Sequence, residues 1–457
     1  MTNYETVKVS VIIYVKNTAD YIKQCIMSAR NQTLQEIEIL VIDGGSTDGT
    51  RAIIEKMKEQ DARIRTFDAP ASVGAQFNIG LQEARGQYIG ICEADDFVPS
   101  EMYERQYRIV KENNLDVLRA GYYQVCNVDG VEYRFEHKAC GNPEWTDKVI
   151  ENNGFLFLGE AVNGYWSGLY SRQFLMDYGI RMNETGGAAH QDLSFSFLTQ
   201  MYAARIWFMK EAFYCYRIDN LKASAYSLQG IGLHIKEYEE LKKQLELRGQ
   251  WEKYKTVFFS WELLSYRWFL RRLPGKVRKT EIERVYRYLQ IQKEENGYCL
   301  THVMNTVQDL SKALLKDEAD FSEEILAGIE NSKDFFAYIT SSFQADNRIL
   351  IFGVGQIGKI LKQFFELHQK ETVLLDNDSK LQHTGYMGQR VYQPEKAVKN
   401  FSNEKIVISS AIHSQEMKRQ LYKLGVPEER LLICDDEEFL LREIFAKATA
   451  HGKKRDR

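Results

Sequence analysis

VSVIIYV, residues 9–15, is an apolar run broken only by Ser10, and its reading decides the fold. A half-exposed strand would alternate polar and apolar residues, so a continuous run marks a strand buried on both faces of a parallel sheet. That strand-like run extends over 7–15, and others recur at 37–42, 63–67, 87–92 and 116–125, while amphipathic helical stretches fill 18–30, 48–60, 74–84 and 100–113. Strands alternating with helices in this way predict a largely parallel sheet flanked by helices. Asp129-Gly130 reads as a hairpin turn, after which the chain turns irregular and aromatic to Tyr226. From about Gln229 to Phe343 it reads as nearly all helix, and a second α/β pattern opens at Asn347. The expected organisation is an α/β domain over 1–227, a helical connector over 228–345, a small Rossmann-like α/β domain over 346–441, and a charged tail over 442–457.

The 457 residues are too many for a single core, and 44% hydrophobic with 27% charged residues describes a globular protein. A net charge of -4 gives no electrostatic case for a nucleic-acid partner. Seven scattered cysteines without a CxxC pair argue against a disulfide framework or a zinc site and for a reducing compartment. The N-terminus reads as a strand, not a signal peptide, and no long apolar run is present. A cytoplasmic protein is expected, with contact at the inner face of a membrane left open. Six basic residues between Arg267 and Lys279, interleaved with Trp268 and Phe269, would suit either a bilayer surface or a solvated helix face.

Ligands of parallel α/β sheets bind at the carboxyl ends of the strands, and two loops there are acidic. In IDGGSTDGT (42–50), Ser46, Thr47 or Asp48 can cap the next helix, while Asp43 at the strand end can accept hydrogens from a base or ribose. In CEADD (92–96), three carboxylates within four residues repel one another unless a cation or donors neutralise them. Hard oxygen ligands of this kind suit Mg²⁺ or Mn²⁺ on a diphosphate; a solvated acidic turn is the plainer alternative.

VSVIIYVKN (9–17), IDGGSTDGT (42–50), GQYIGICEADDFV (86–98), NETGGAAHQDLSF (183–195) and CYRIDNLKASAYS (215–227), in this order, resemble the family 2 glycosyltransferases of the GT-A fold. The resemblance implies that Asp43 contacts the nucleotide base and that Asp95 binds the metal. Glu93 stands where the family usually has the first aspartate of its Asp-x-Asp motif, which implies a ribose or metal role. Asp192 matches the general base. Its plainer reading is a carboxylate favoured by the positive end of the helix dipole, and the two readings are compatible. Tyr14 stands where a proline is common and Lys16 where an aromatic commonly stacks on uracil; both are carried as donor-site residues. Phe77 replaces a usual arginine.

The resemblance implies inverting, divalent-metal-dependent transfer from a nucleotide-sugar donor, UDP-linked, to a saccharide or lipid-linked acceptor in cell-surface polysaccharide synthesis. One base opposite an in-line leaving group gives inversion. His190, beside the base, is expected to shape the pocket. Trp166 and Tyr170 would either stack on an acceptor sugar or pack in the core.

ILIFGVGQIGK (349–359) places Gly353, Gly355 and Gly358 after an apolar strand, and Asp376 ends the next strand at the spacing of a ribose-binding acid. A dinucleotide cofactor or a tight strand–helix turn both fit. Two rival functions are a catalytically degenerate sugar-nucleotide sensor and an NAD-dependent epimerase or oxidoreductase. Tyr392 and Lys396 offer the Tyr-x-x-x-Lys pair of the latter, but Pro394 lies between them.

Overall fold

The computed structural model describes residues 7–128, 131–151, 164–186, 190–220, 223, 231–273, 275–296, 307–326, 329–342, 345–410, 413–436 and 440. The chain divides into two compact units, residues 1–125 with 133–316, and residues 317–457 with the short segment 126–132. Gly187, Ala188 and Ala189 of NETGGAAHQ and most of LKASAYS, together with the Asp129-Gly130 turn and the charged tail, lie outside the described residues.

The first unit begins as expected. Strands β1 (Val9–Val15), β2 (Ile37–Asp43), β3 (Ile64–Asp68) and β4 (Tyr88–Ile91) alternate with helices α1 (Ile22–Arg30), α2 (Thr50–Lys58) and α3 (Val73–Glu83), and α4 (Met102–Asn113) follows. β1, β2 and β4 are buried along their whole length, which is why their sequences show no alternation. β3 is the edge strand, and only its Ile64 is buried. Helix α1 starts at Ile22, four residues later than the apolar pattern suggests, because the amides of Tyr21 and Ile22 close a turn on Thr18 O.

Beyond α4 come β5 (Val117–Val128), β6 (Val131–His137), β7 (Val149–Glu151), β8 (Gly168–Ser171), α5 (Arg172–Asp177), α6 (Asp192–Tyr202) and β9 (Arg205–Arg217). The sheet order is β3-β2-β1-β4-β8-β5-β9-β7, with β6 paired to β5. β8 runs antiparallel between β4 and β5, so the sheet is mixed rather than parallel throughout. Gly168 makes that insertion possible, since a Cβ there would stand 1.9 Å from Leu118 O. β9 then returns parallel to β5 and carries Tyr214 and Arg217 back toward the strand ends.

Helix α6 is buried on every side from Leu193 to Met201, so it needs a cover. Helices α7 (Ile231–Leu247) and α8 (Trp251–Arg272) supply it, followed by α9 (Gly275–Asn296) and α10 (Gln308–Lys316). Phe197 of α6 packs edge-on against Tyr254 and Phe258 of α8, and the Tyr254 hydroxyl donates to Met201 O at 3.3 Å. Arg278 is buried, and its guanidinium donates to Leu270 O and Arg271 O at 3.1 Å, finishing the end of α8. One of the six basic residues is thereby withdrawn from any surface patch; the side chains of Arg272 and Lys276 lie outside the described residues.

The second unit holds α11 (Glu318–Leu326), α12 (Ile329–Ser341), β10 (Arg348–Phe352), α13 (Gln356–Leu367), β11 (Glu371–Leu375), α14 (Ser379–Thr384), β12 (Val391–Tyr392), α15 (Pro394–Asn400), β13 (Lys405–Ile408), α16 (Ser414–Lys423) and β14 (Leu431–Ile433). Its five strands pair in the order β12-β11-β10-β13-β14, all parallel. This is a doubly wound Rossmann-like order, reversing direction between β10 and β13. Leu350, Phe352, Ile406, Ile408, Met417 and Leu421 form one side of its core.

Candidate active site

The carboxyl ends of β1, β2 and β4 bring the acidic loops together. Val15 and Asp43 are register partners, and the loops after β1 and β2 are laced to each other. Asn17 N donates to Ser46 Oγ at 3.0 Å, and Thr47 N donates to Asn17 Oδ1 at 2.8 Å. The helix-capping task falls to Asp48, whose Oδ1 accepts from the Thr50 amide at 3.1 Å and the Thr50 hydroxyl at 2.6 Å. Asp43 is buried, and its Oδ1 accepts from Ser46 N at 2.9 Å and Ser46 Oγ at 2.7 Å. Its Oδ2 has no hydrogen-bond donor, and the Arg51 guanidinium stands 3.5 Å away. A buried carboxylate oxygen without a donor is costly, and a ligand hydrogen would satisfy it. Lys16 is exposed at the rim, directly after Val15.

Glu93 sits one residue beyond the buried run that ends in Cys92. Its Oε1 accepts from Tyr14 at 2.7 Å and Tyr165 at 2.6 Å, and the two phenol oxygens are themselves 2.6 Å apart. Tyr14 is 6% exposed, and its hydroxyl is committed to Glu93 and Tyr165, so it holds Glu93 rather than facing a substrate. Burial first, then the charge of Asp95, raises the Glu93 carboxyl to about 7, against the two phenol donors that lower it; Asp192 adds to the rise. Asp95 Oδ2 accepts from Asn220 Nδ2 at 2.8 Å, and Asp95 O accepts from Arg217 Nε at 2.8 Å. Asp96 is buried with both oxygens occupied, by Tyr214 OH and by Arg217 N, each at 2.7 Å.

Carboxylate oxygens of Glu93, Asp95 and Asp96 lie within 4.8 Å of one another. Asp96 is spent on the protein, whereas among the described residues no hydrogen bond reaches Glu93 Oε2 or Asp95 Oδ1. Two open hard oxygens in a cluster whose like charges push Glu93 upward fit a divalent cation.

Asp192 is the first residue of α6, as the sequence suggests. Burial raises its carboxyl to about 6; its own backbone amide lowers it, and the charge of Glu237 raises it further. His190, in the left-handed region at φ +64°, stacks on His234 at 4.2 Å and packs against Phe269. Trp166 is buried between Tyr122 and Tyr214, and Tyr170 is fully buried with its hydroxyl on Tyr165 O; both pack in the core. Phe77 is fully buried against Phe195. Tyr165, Tyr214, Arg217 and Asn220 are site residues that the sequence reading missed. Arg217 and Asn220 fall inside the quoted CYRIDNLKASAYS, which gave them no role of their own, while Tyr165 and Tyr214 lie in aromatic, core-like stretches.

In the second unit, Gly353 takes φ +107°, and a Cβ on Gly358 would stand 1.9 Å from Gly353 O. Both glycines are demanded by the turn itself. A Cβ on Gly355 would meet nothing within 4 Å. Asp376 accepts from Val354 N at 2.7 Å on Oδ2 and from Asp378 N at 2.9 Å on Oδ1. Tyr392 ends β12 while Lys396 lies in α15, which begins at Pro394. They do not share a helix face, so the geometry of a dehydrogenase pair is lacking.

Residues 10–179 match the family described as Glycosyl transferase family 2, and residues 345–432 match one described as C2185-like, N-terminal. An uncharacterized glycosyltransferase of Bacillus subtilis, EpsJ, is 30% identical over 214 residues, covering 46% of this chain and 60% of the relative. A cholesterol galactosyltransferase of Borreliella burgdorferi is 27% identical over 261 residues, covering 55% of this chain and 72% of the relative. The crystal structure of Staphylococcus aureus TarS residues 1–349 in complex with UDP-GlcNAc aligns with a TM-score of 0.50 at 17% identity, covering 71% of this chain and 92% of that one. At that identity the likeness is one of fold. The strand order, the acidic loops at the strand ends and the family match over 10–179 agree: the N-terminal unit of this chain carries a family 2 glycosyltransferase domain of the GT-A fold.

Proposed function

We propose that the chain transfers a sugar from a UDP-linked donor to a saccharide or lipid-linked acceptor, with inversion, in cell-surface polysaccharide synthesis inside the cell. The observation that carries this reading is the acidic cluster at the strand ends, where carboxylate oxygens of Glu93, Asp95 and Asp96 lie within 4.8 Å of one another; the charge of Asp192, at the head of α6, adds to the rise of the Glu93 carboxyl. Asp43 Oδ2 carries no hydrogen bond, only the ion pair with the Arg51 guanidinium at 3.5 Å, and would accept a hydrogen from the base or ribose. Glu93 and Asp95 would hold Mn²⁺ or Mg²⁺, which when bound supplies positive charge for the departing diphosphate. Asp192, with a carboxyl near 6, is ionised at neutral pH yet basic enough to take the acceptor hydroxyl proton. Among the described residues no helix is long and apolar enough to cross a membrane, so a lipid-linked acceptor would be met at a bilayer surface.

The test is a thermal-shift panel of UDP-GlcNAc, UDP-galactose and UDP-glucose, each with Mn²⁺ and with a chelator, followed by UDP release from the donor selected. A ligand bound by the native state raises the melting temperature by mass action. Stabilisation that needs the metal, with turnover, supports the transferase. Binding without turnover supports a sensor, and no stabilisation by any member overturns the donor class.

A second reading, a nucleotide at the glycine turn of the second unit, is favoured by one observation, the open space at Gly355. Calorimetric titration with NAD, repeated on Gly355→Val, tests it.

A further inference from the structure

Residues 182–186, which precede Asp192 in the chain, are tied from two sides. On one side stands α3. Asn78 Nδ2 donates to Met182 O and Glu184 Oε1, each at 2.9 Å, and Ser72 Oγ donates to Thr185 O at 2.7 Å. The contact is intimate, since a Cβ on Gly74 would stand 1.7 Å from Asn183 O.

On the other side stands α7, beyond the segment that matches the glycosyltransferase family. Glu237 is 0% exposed, and its Oε2 accepts from Asn183 Nδ2 at 2.6 Å while its Oε1 accepts from the Thr185 hydroxyl. Gln244, two turns along the same helix, donates to Asn183 Oδ1 at 2.7 Å. Thr185 O in turn accepts from Gln191 Nε2 at 2.9 Å, and Gln191 immediately precedes Asp192. A fully buried carboxylate is expensive to keep, and packing alone would be served better by a leucine.

We propose that Glu237 is a positioning residue for the base: its carboxylate fixes Asn183 and Thr185, and through Gln191 sets Asp192 at the head of α6. The inference rests on the reading of Asp192 as the base. Glu237 also lies near enough for its charge to lift the Asp192 carboxyl.

The test uses the full chain, the donor selected by the panel, and UDP with Mn²⁺ as the calorimetric probe. Glu237→Ala lowers kcat for UDP release by about 10–100-fold, the scale of an ångström-sized misplacement, and leaves the UDP Kd within about twofold. Glu237→Gln restores kcat, because its carbonyl still accepts from Asn183 and its amide can donate to the Thr185 hydroxyl. In an Asp192→Asn background, Glu237→Ala costs nothing further, since both changes act through one carboxylate. If Glu237→Ala does not fold, Thr185→Val breaks the same bond at a partly exposed position and gives the same split of kcat from Kd.

Three results overturn the tether: wild-type kcat in Glu237→Ala, an undiminished further loss in the Asp192→Asn background, or a loss of UDP affinity equal to the loss in kcat. An Asp192→Asn variant that turns over at the wild-type rate removes the base itself and the tether with it. That outcome is distinct from failure of the tether alone.

Discussion

Asp43 and Asp376 occupy the same place in two sheets. Each stands at the carboxyl end of the strand that neighbours the sheet's first strand, β1 in one unit and β10 in the other. Asp43 uses one oxygen to close its own loop through Ser46 and leaves the other without a donor. Asp376 closes both oxygens on backbone amides, those of Val354 and Asp378. The glycines differ in the same sense: Gly353 and Gly358 answer the needs of strand–helix packing, and only Gly355 leaves space. Strand, acidic residue and helix therefore recur in both units. A binding site follows only where polar atoms remain after the loop has satisfied itself.

That comparison is broken or sharpened first at Asp192. Asp192→Asn keeps the shape but cannot accept a proton at neutral pH, so kcat should fall on the order of 10²–10⁴-fold with donor Kd nearly unchanged. UDP-release kinetics with calorimetry check this, and a near-wild-type rate would return Asp192 to the role of a helix-terminal carboxylate. Next comes Asp95→Asn, which removes an open anionic oxygen from the acidic cluster. Mn²⁺-dependent UDP affinity and turnover should fall together, by roughly 10–100-fold, the scale of a lost charged partner. Equal affinity with and without chelator in the wild type would dismiss the metal.

The pH profile gives a third, smaller effect. The Asp192 carboxyl is raised to about 6, so the base is charged above that pH and protonated below it. With Mn²⁺ saturating, so that Glu93 stays ionised, kcat should therefore level off above pH 6 and fall about tenfold per unit as pH drops below it. The limb should vanish from the residual rate of Asp192→Asn. Smallest is the glycine pair of the second unit. Gly358→Ala forces a Cβ against Gly353 O and should destabilise the unit by about 1–3 kcal/mol. Gly355→Ala meets open space and should change stability by no more than about 0.5 kcal/mol. Equal effects in denaturant melts would refute the division of roles between the two glycines.

The parts of the fold legible in the sequence were those governed by local pattern. All four buried or edge strands before α4 and their intervening helices follow from apolar runs and helical periodicity, as does the second parallel sheet. The insertion of β8 between β4 and β5 was not legible, because GLYS carries no sign of its partners and Gly168 is explained only by Leu118 O. Asp43, Glu93 and Asp95 stood out as carboxylates at strand ends, and Asp192 through the family resemblance. What surrounds them did not. Tyr165 reaches Glu93 across 72 residues and Asn220 reaches Asp95 across 125, so neither pairing leaves a trace in local spacing. Tyr14 and Tyr165 look like core aromatics because, except for their hydroxyls, they are core aromatics. Glu237 sits in a helix that reads as a connector, and its meaning appears only when α7 packs against Asn183 and Thr185.

The most direct measurement is a calorimetric titration of UDP with Mn²⁺ into Asp43→Asn and Asp376→Asn side by side. Asn at position 43 can keep the Ser46 bonds through its carbonyl, but it replaces the donorless Oδ2 with an amide that cannot accept a ligand hydrogen. Asp43→Asn should lose UDP affinity by about tenfold or more, the scale of a hydrogen bond to a charged group. Asp376→Asn should keep wild-type affinity and lose about 1 kcal/mol in the stability of the second unit, from one broken turn bond. Wild-type UDP affinity in Asp43→Asn, or a matching loss in Asp376→Asn, would contradict this difference between the two aspartates.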